Sequence, residues 1–193
     1  MPRCVVVVLL SLMLFGCSGI RYSEVAPEAK DFHPRQIGVL PVDVGSYEDA
    51  RGVIDRIVTD ALIDKGWFTS VIAVDAITKK GPSGEDVSKV VSDYVVKLKT
   101  VSYSDPEMSK KIGESFKVDA LLVVGLIYWN YTKTIEGDNI AKVEAEMKMT
   151  NAGTGQILWK AHHHVTEEYM YFKPQLRNVA KNLINKMIRE MPH

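Results

Sequence analysis

Cysteine is scarce in this sequence, which has two among 193 residues. Cys4 lies inside an apolar N-terminal run, and Cys17 follows that run. Removal of the run as a secretion signal would leave one cysteine, so no disulfide could form within the chain. A single cysteine in a secreted protein has to serve another purpose.

Two classes of protein are excluded by what the sequence does not contain. The 24 basic and 24 acidic residues give no net charge, and no long run of like charge occurs. A nucleic-acid partner, which requires a basic patch or stripe, is therefore not expected. The G-x-S-x-G elbow, the Walker loop and the dinucleotide fingerprint are also absent, so we expect a non-enzymatic protein without a cofactor.

The apolar run at the N-terminus is too short to cross a membrane. It covers residues 5–15, is interrupted only by Ser11, and follows the positive charge of Arg3. A membrane-spanning helix needs about 20 apolar residues, whereas a run of this length followed by small residues is typical of a signal peptide. We predict that residues 1–16 are a signal peptide.

The last residues of this segment, LFGC at 14–17, resemble the bacterial lipobox. The resemblance implies cleavage before Cys17 and acylation of its thiol with fatty acids such as palmitate. The residue after the cysteine is Ser18 rather than aspartate, which by the same resemblance implies an outer-membrane anchor facing the periplasm. Plain secretion without a lipid is the alternative.

Residues 17–34 show no sustained periodicity, and we interpret them as a lipidated N-terminus and tether. Residues 35–193 are predicted to form a single α/β domain in the order strand, helix, strand, helix, helix, three strands, helix. Ser46 with Asp49 is interpreted as a capping box for the first helix, and Gly66 as its end. The 69–74 segment is predicted to be the second strand, and Asp105 to cap the third helix.

The last three predicted strands indicate a mixed sheet of about five strands. Residues 119–131 are apolar on both faces, as in a central strand. Residues 140–150 and 156–166 alternate between polar and apolar, as in a hairpin. We predict a register that places Glu144 opposite His162, because a shift by two residues would bring Lys148 against Lys160.

Four short segments resemble, in chain order, the amino-terminal fold of TolB. This fold also occurs in the curli-secretion lipoprotein and in lipoprotein activators of penicillin-binding proteins. The segments are IGVLP at 37–41, GWF at 66–68, VDA at 118–120 leading to Gly125, and TG at 154–155 followed by LW at 158–159. The resemblance implies binding of periplasmic partners and a role in envelope assembly, with no catalytic residues.

A polar strand face offers one candidate ligand site. In a strand, His162 and His164 share a face, and Glu144 lies on the neighbouring strand. Two histidines and a carboxylate can bind zinc. We interpret this surface instead as an exposed polar face with cross-strand charge pairs, and we expect His163 to pack on the apolar side.

Two further sets of residues are candidates for function. Tyr169, Tyr171 and Phe172 precede the last helix and could bind a partner; packing against the core is the alternative that we favour. Asp43 and Asp75 follow parallel strands, where active sites of open sheets lie, and we interpret them as turn and capping residues.

The function expected from these patterns is that of an outer-membrane lipoprotein facing the periplasm. It would bind a protein complex of the cell envelope as an accessory in assembly or transport, and it could form homo-oligomers. The alternative is a periplasmic protein that binds a metal or small ligand on the His/Glu strand face.

Overall fold

The computed structural model describes residues 21–73 and 84–193. The signal segment, Cys17 and Asp75 lie outside the described residues. The predictions made for these positions therefore remain predictions.

Six strands form one mixed sheet in the order β1-β6-β5-β4-β2-β3. β2 is parallel to both β3 and β4, whereas β4, β5, β6 and β1 are successively antiparallel. The predicted α/β fold with a mixed sheet is confirmed, with one strand more than expected. The strands are β1 (Tyr22–Val25), β2 (Gln36–Val39), β3 (Ser70–Ala73), β4 (Ala120–Lys133), β5 (Asn139–Asn151) and β6 (Ile157–Glu168).

In the described ranges, four α-helices pack on the two faces of this sheet. They are α1 (Val53–Lys65), α2 (Gly84–Thr100), α3 (Pro106–Phe116) and α4 (Leu176–Ile188). α1 and α4 share one apolar cluster with the sheet, and α2 and α3 share the other. β4 contributes to both clusters through Leu121 and Leu122, which makes it the central strand. Among the described residues, no helix has the length and apolar character needed to span a membrane.

Two of the three helix ends predicted from the sequence are confirmed. Asp105 accepts the backbone N–H groups of Glu107 and Met108, as predicted, and Gly66 ends α1 with a left-handed φ of 65°. The capping box at Ser46 is wrong, because α1 begins at Val53. Asp55 serves that end instead, accepting the N–H of Gly52 at 3.0 Å.

The tether predicted for residues 17–34 is wrong over most of its length. Tyr22 to Val25 form β1, which pairs with β6, and a 3-10 helix follows at Pro27–Asp31 with Ala29 buried. β1 is held by backbone pairing, and all four of its side chains are exposed. It therefore lacks the alternation of apolar residues that reveals a strand in a sequence.

The hairpin register also differs from the prediction. His164 lies opposite Glu144, and Lys148 lies opposite Lys160. Like charges face each other here because each lysine has a partner outside the hairpin. Lys148 donates to the carbonyl of Leu98 in α2 at 3.1 Å, and Lys160 lies 4.0 Å from the carboxylate of Glu24 in β1.

A bulge in β4 reverses the alternation of its side chains. The pairing with β5 shifts between Leu126 and Tyr128. Trp129 therefore joins the same cluster as Leu126, on the opposite side from the one that strict alternation predicts. Ile127, at the bulge, is 43% exposed.

Candidate functional site

Half of one sheet face carries charged and polar side chains. Helices α2 and α3 cover this face only beside β4 and the end of β5. We call the remainder the polar strand face, and it comprises Arg21, Tyr22, Glu24, Lys142, Glu144, Glu146, Lys148, Lys160, His162 and His164. Its side chains come from three strands that pair in register, so the sheet itself brings them together.

Glu144 is the centre of the polar strand face, and its side chain is only 10% exposed. One carboxylate oxygen lies 2.7 Å from Nε2 of His162, and the other lies 2.7 Å from Nζ of Lys142. The guanidinium of Arg21 approaches to 3.6 Å. Burial raises the pKa of Glu144, but the hydrogen bonds from Lys142 and His162 outweigh it and bring that pKa below its usual value. Glu144 is therefore an ionised carboxylate with both oxygens engaged.

The neighbouring charges are paired as well. Glu146 lies 3.8 Å from Lys148, and Lys160 lies near Glu24. The prediction of cross-strand charge pairs is confirmed for His162 with Glu144 and for Lys160 with Glu24. The predicted exposure is wrong for Glu144 and Lys148, which are buried. His162 reaches Glu144 diagonally, since it lies opposite Glu146 in the register.

The three candidate zinc ligands are neighbours on the polar strand face, with His164 opposite Glu144, but they do not form a metal-binding group. His162 contacts Glu144, whereas Nδ1 of His164 is buried without a hydrogen-bond partner. Burial and the charge of Lys142 lower the pKa of His164. In the part of the chain that the structure describes, no group of three or more His, Cys, Asp or Glu side chains could hold a metal ion.

The other two polar candidates have structural roles. His163 is buried on the opposite face, and its Nδ1 accepts the backbone N–H of Arg21 at 3.0 Å. Asp43 pairs with Lys99 and accepts the N–H of Gly45 at 2.9 Å, as expected for a turn residue. Burial raises the pKa of Asp43, but the hydrogen bond from Lys99 brings it below the usual value.

The three aromatic residues before α4 have different environments. Tyr169 packs edge-on against Tyr131, with ring centroids 5.9 Å apart. Tyr171 and Phe172 are 86% and 91% exposed, so the prediction that they pack on the core is wrong. Sequence reasoning missed two exposed neighbours, Met170 and Ile135, because a single apolar residue in a loop carries no periodic signal.

We call Ile135, Met170, Tyr171 and Phe172 the apolar tip. Ile135 is in the β4–β5 turn and the others follow β6, so all four lie at one end of the sheet. Residues 137–139 and 168–171 line a common hollow there.

The segment that carries the apolar tip is fixed at both ends. The N–H of Tyr169 donates to the carbonyl of Asn139 at 3.0 Å. The hydroxyl of Tyr131 donates to the carbonyl of Pro174 at 2.9 Å, and the ammonium of Lys173 lies 4.8 Å from the centre of the Tyr131 ring. The three residues between these attachments project from a supported loop.

Comparison with known proteins finds similar structures but no similar sequence among protein families or curated proteins. No family model and no curated protein matches the chain. The structure of the PelC dodecamer from Paraburkholderia phytofirmans superposes with a TM-score of 0.52 at 15% identity, over 84% of this chain and 92% of that one. The lipoprotein GNA1162 from Neisseria meningitidis superposes with a TM-score of 0.51 at 15% identity, over 82% of this chain and all of that one. The chain has the fold of these two proteins. The sequence resemblance implied a fold that also occurs in bacterial lipoproteins, and this fold is thereby confirmed.

Proposed function

We propose that this protein is a non-enzymatic lipoprotein of the outer membrane, acylated at Cys17 and facing the periplasm. It acts as an accessory in envelope assembly or transport by binding other protein subunits. One observation carries this proposal: a lipobox-like LFGC segment directly precedes a domain with the fold of the lipoprotein GNA1162.

The charge arrangement supports binding over catalysis. Glu144 is the most enclosed acid of the polar strand face, and Lys142, His162 and Arg21 already engage its oxygens. A general acid or base needs an oxygen that is available to a substrate. The same pairing disfavours the alternative of a metal site on this face.

The sheet edges support an oligomeric assembly. β1 and β3 are the outer strands of the described sheet, so each has one edge without a neighbouring strand in that sheet. Edge strands carry backbone groups that can pair with another chain. The fold is also that of PelC, which crystallised as a dodecamer.

The anchor is tested by intact mass and by incorporation of labelled palmitate in the producing cell. We expect a lipid-sized mass addition on a chain beginning at Cys17. Cys17→Ser should abolish labelling. Cys4→Ser, which changes the other cysteine, should leave labelling intact. An unlipidated wild-type protein would overturn the anchored function.

The binding role is tested by native mass measurement after extraction in mild detergent. We expect a complex of defined stoichiometry, either with copies of this chain or with a second envelope protein. Recovery of the monomer alone, even after crosslinking in the intact cell, would contradict the accessory role.

A further inference from the structure

We propose that the apolar tip inserts into the interfacial layer of the same bilayer that holds the Cys17 anchor. This inference rests on the proposed lipidation of Cys17. It assigns a lipid surface as the binding partner of the four exposed side chains.

The described chain begins at Arg21, at the start of β1, which points toward the end of the sheet that carries the apolar tip. β1 is antiparallel to β6, with Tyr22 opposite His162 and Val25 opposite Trp159. The beginning of β1 is therefore nearest the C-terminal half of β6, and β6 leads into Met170, Tyr171 and Phe172. Arg21, the described residue that lies nearest to Cys17 in the sequence, is therefore on that side of the domain.

The chain between anchor and domain is short. Arg21 is already attached to the sheet, through its N–H to His163 at 3.0 Å and its guanidinium near Glu144 at 3.6 Å. Four residue steps from Arg21 to Cys17 span at most about 14 Å. The five steps along β6 from His163 to Glu168 span about 17 Å, and the apolar tip lies beyond them. The apolar tip therefore extends beyond the level of Arg21 at least as far as Cys17 can. When this end of the sheet faces the bilayer, the tip can contact the membrane that holds the anchor.

The composition of the apolar tip suits a membrane interface. Tyrosine and phenylalanine side chains favour the boundary between headgroups and acyl chains, and an apolar contact adds a second attachment to a lipid anchor. The support described above holds these side chains outward, so they can insert without unfolding.

The charges around the apolar tip indicate which lipids it would meet. The exposed residues beside it include Lys133 and Lys173 against Glu136, Asp138 and Glu168. These five charges nearly balance, so they form no basic patch that would favour an anionic surface. We therefore expect insertion into a bilayer with neutral, zwitterionic headgroups.

Spin labels on the full-length acylated protein test this proposal in phosphatidylcholine vesicles. Acylation blocks Cys17 and signal cleavage removes Cys4, so an introduced cysteine is the only free thiol. The test label is placed at Phe172→Cys, and the control label at Thr154→Cys, in the exposed β5–β6 turn at the opposite end of the sheet. We expect the label at 172 to be several-fold less accessible to a water-soluble nickel complex than the label at 154, and more accessible to oxygen. A label at Ile135→Cys should resemble the label at 172.

The other outcomes separate this inference from the proposed function. Equal nickel access at 172 and 154 in an acylated protein would overturn insertion and leave the lipoprotein assignment standing. Low access of both nickel and oxygen at 172 would indicate burial in a protein interface, and would overturn the lipid assignment in favour of self-association. Absence of the acyl mass would overturn both proposals together.

Discussion

The indole Nε1 of Trp129 donates a hydrogen bond to the Asp49 carboxylate across 2.9 Å. Trp129 is 5% exposed and lies just after the bulge in β4, whereas Asp49 belongs to a short 3-10 helix before α1. This contact joins the central strand to a segment 80 residues earlier in the chain.

Loss of this contact is expected to destabilise the domain. We predict that Asp49→Ala lowers the free energy of unfolding by about 1–2 kcal/mol, since a buried indole N–H would lose a charged acceptor. Asp60→Ala, at an exposed position of α1, should change it by less than about 0.5 kcal/mol. Urea denaturation of both variants provides the measurement, and equal effects would contradict the assigned contact.

The hydroxyl of Tyr94 connects α2 to the sheet inside the second apolar cluster. It lies 2.8 Å from Oγ of Ser104 and 2.9 Å from Oγ1 of Thr150, and Tyr94 and Thr150 are fully buried. We expect Tyr94→Phe to cost about 1–2 kcal/mol of stability, because the buried hydroxyls lose a shared partner. Tyr103→Phe, at a ring that is 54% exposed, is the matched control. If thermal unfolding shifts no further for the first variant than for the second, the bridge has no energetic role.

Gly155 is required by the turn between β5 and β6. Its φ is +72°, and a Cβ there would lie 2.7 Å from Cα of Pro106. We expect Gly155→Ala to destabilise the protein by about 2 kcal/mol or more, because positive φ and a backbone clash act together. In Gly153→Ala the new Cβ would be 3.4 Å from the nearest atom, so the effect should be small. Similar unfolding midpoints for the two variants would refute this prediction.

Buried His163 and partly buried His164 should make stability depend on pH. Burial lowers the pKa of both His163 and His164 below the ordinary value of 6.5. The folded state then binds fewer protons than the unfolded state, so this contribution is present above about pH 6.5 and is lost as the pH falls. Glu144 adds a similar loss only below its ordinary value of 4.5.

Replacement of one histidine tests this pH dependence. We expect His164→Gln to reduce the loss of stability between pH 7.5 and 5.5, whereas the exposed His33→Gln should leave it unchanged. Urea midpoints across that range provide the measurement. An identical slope for His164→Gln and the wild type would show that His164 does not contribute.

Local patterns in the sequence predicted most of the core elements. The apolar runs of β2 and β4 and the caps at Asp105 and Gly66 depend on residues close in sequence, so they can be recognised there. The register of the hairpin could not be predicted in this way. The partners of Lys148 and Lys160 come from α2 and β1, which are distant in the chain.

The candidate surfaces were predicted less completely than the fold. The polar strand face follows from the alternation of polar and apolar residues. Alternation could not show that His162 would bond diagonally to Glu144, or that Nδ1 of His164 would have no hydrogen-bond partner. The bulge at Ile127 moved Trp129 to the other face, a shift that strict alternation cannot represent. Ile135 joins the aromatic residues in the apolar tip only because β4 and β6, which lie on either side of β5, end at the same end of the sheet.

The pairing of β1 with β6 also determines how a mechanical load from the anchor would enter the domain. A pull on Cys17 away from the end of the sheet acts along the axis of β1. Its four residue pairs with β6 then bear the force together in shear, instead of separating one after another as they would if the strand were peeled sideways. In a protein anchored at Cys17, as proposed above, the strand at residues 22–25 would therefore be a load-bearing joint and not part of a loose tether.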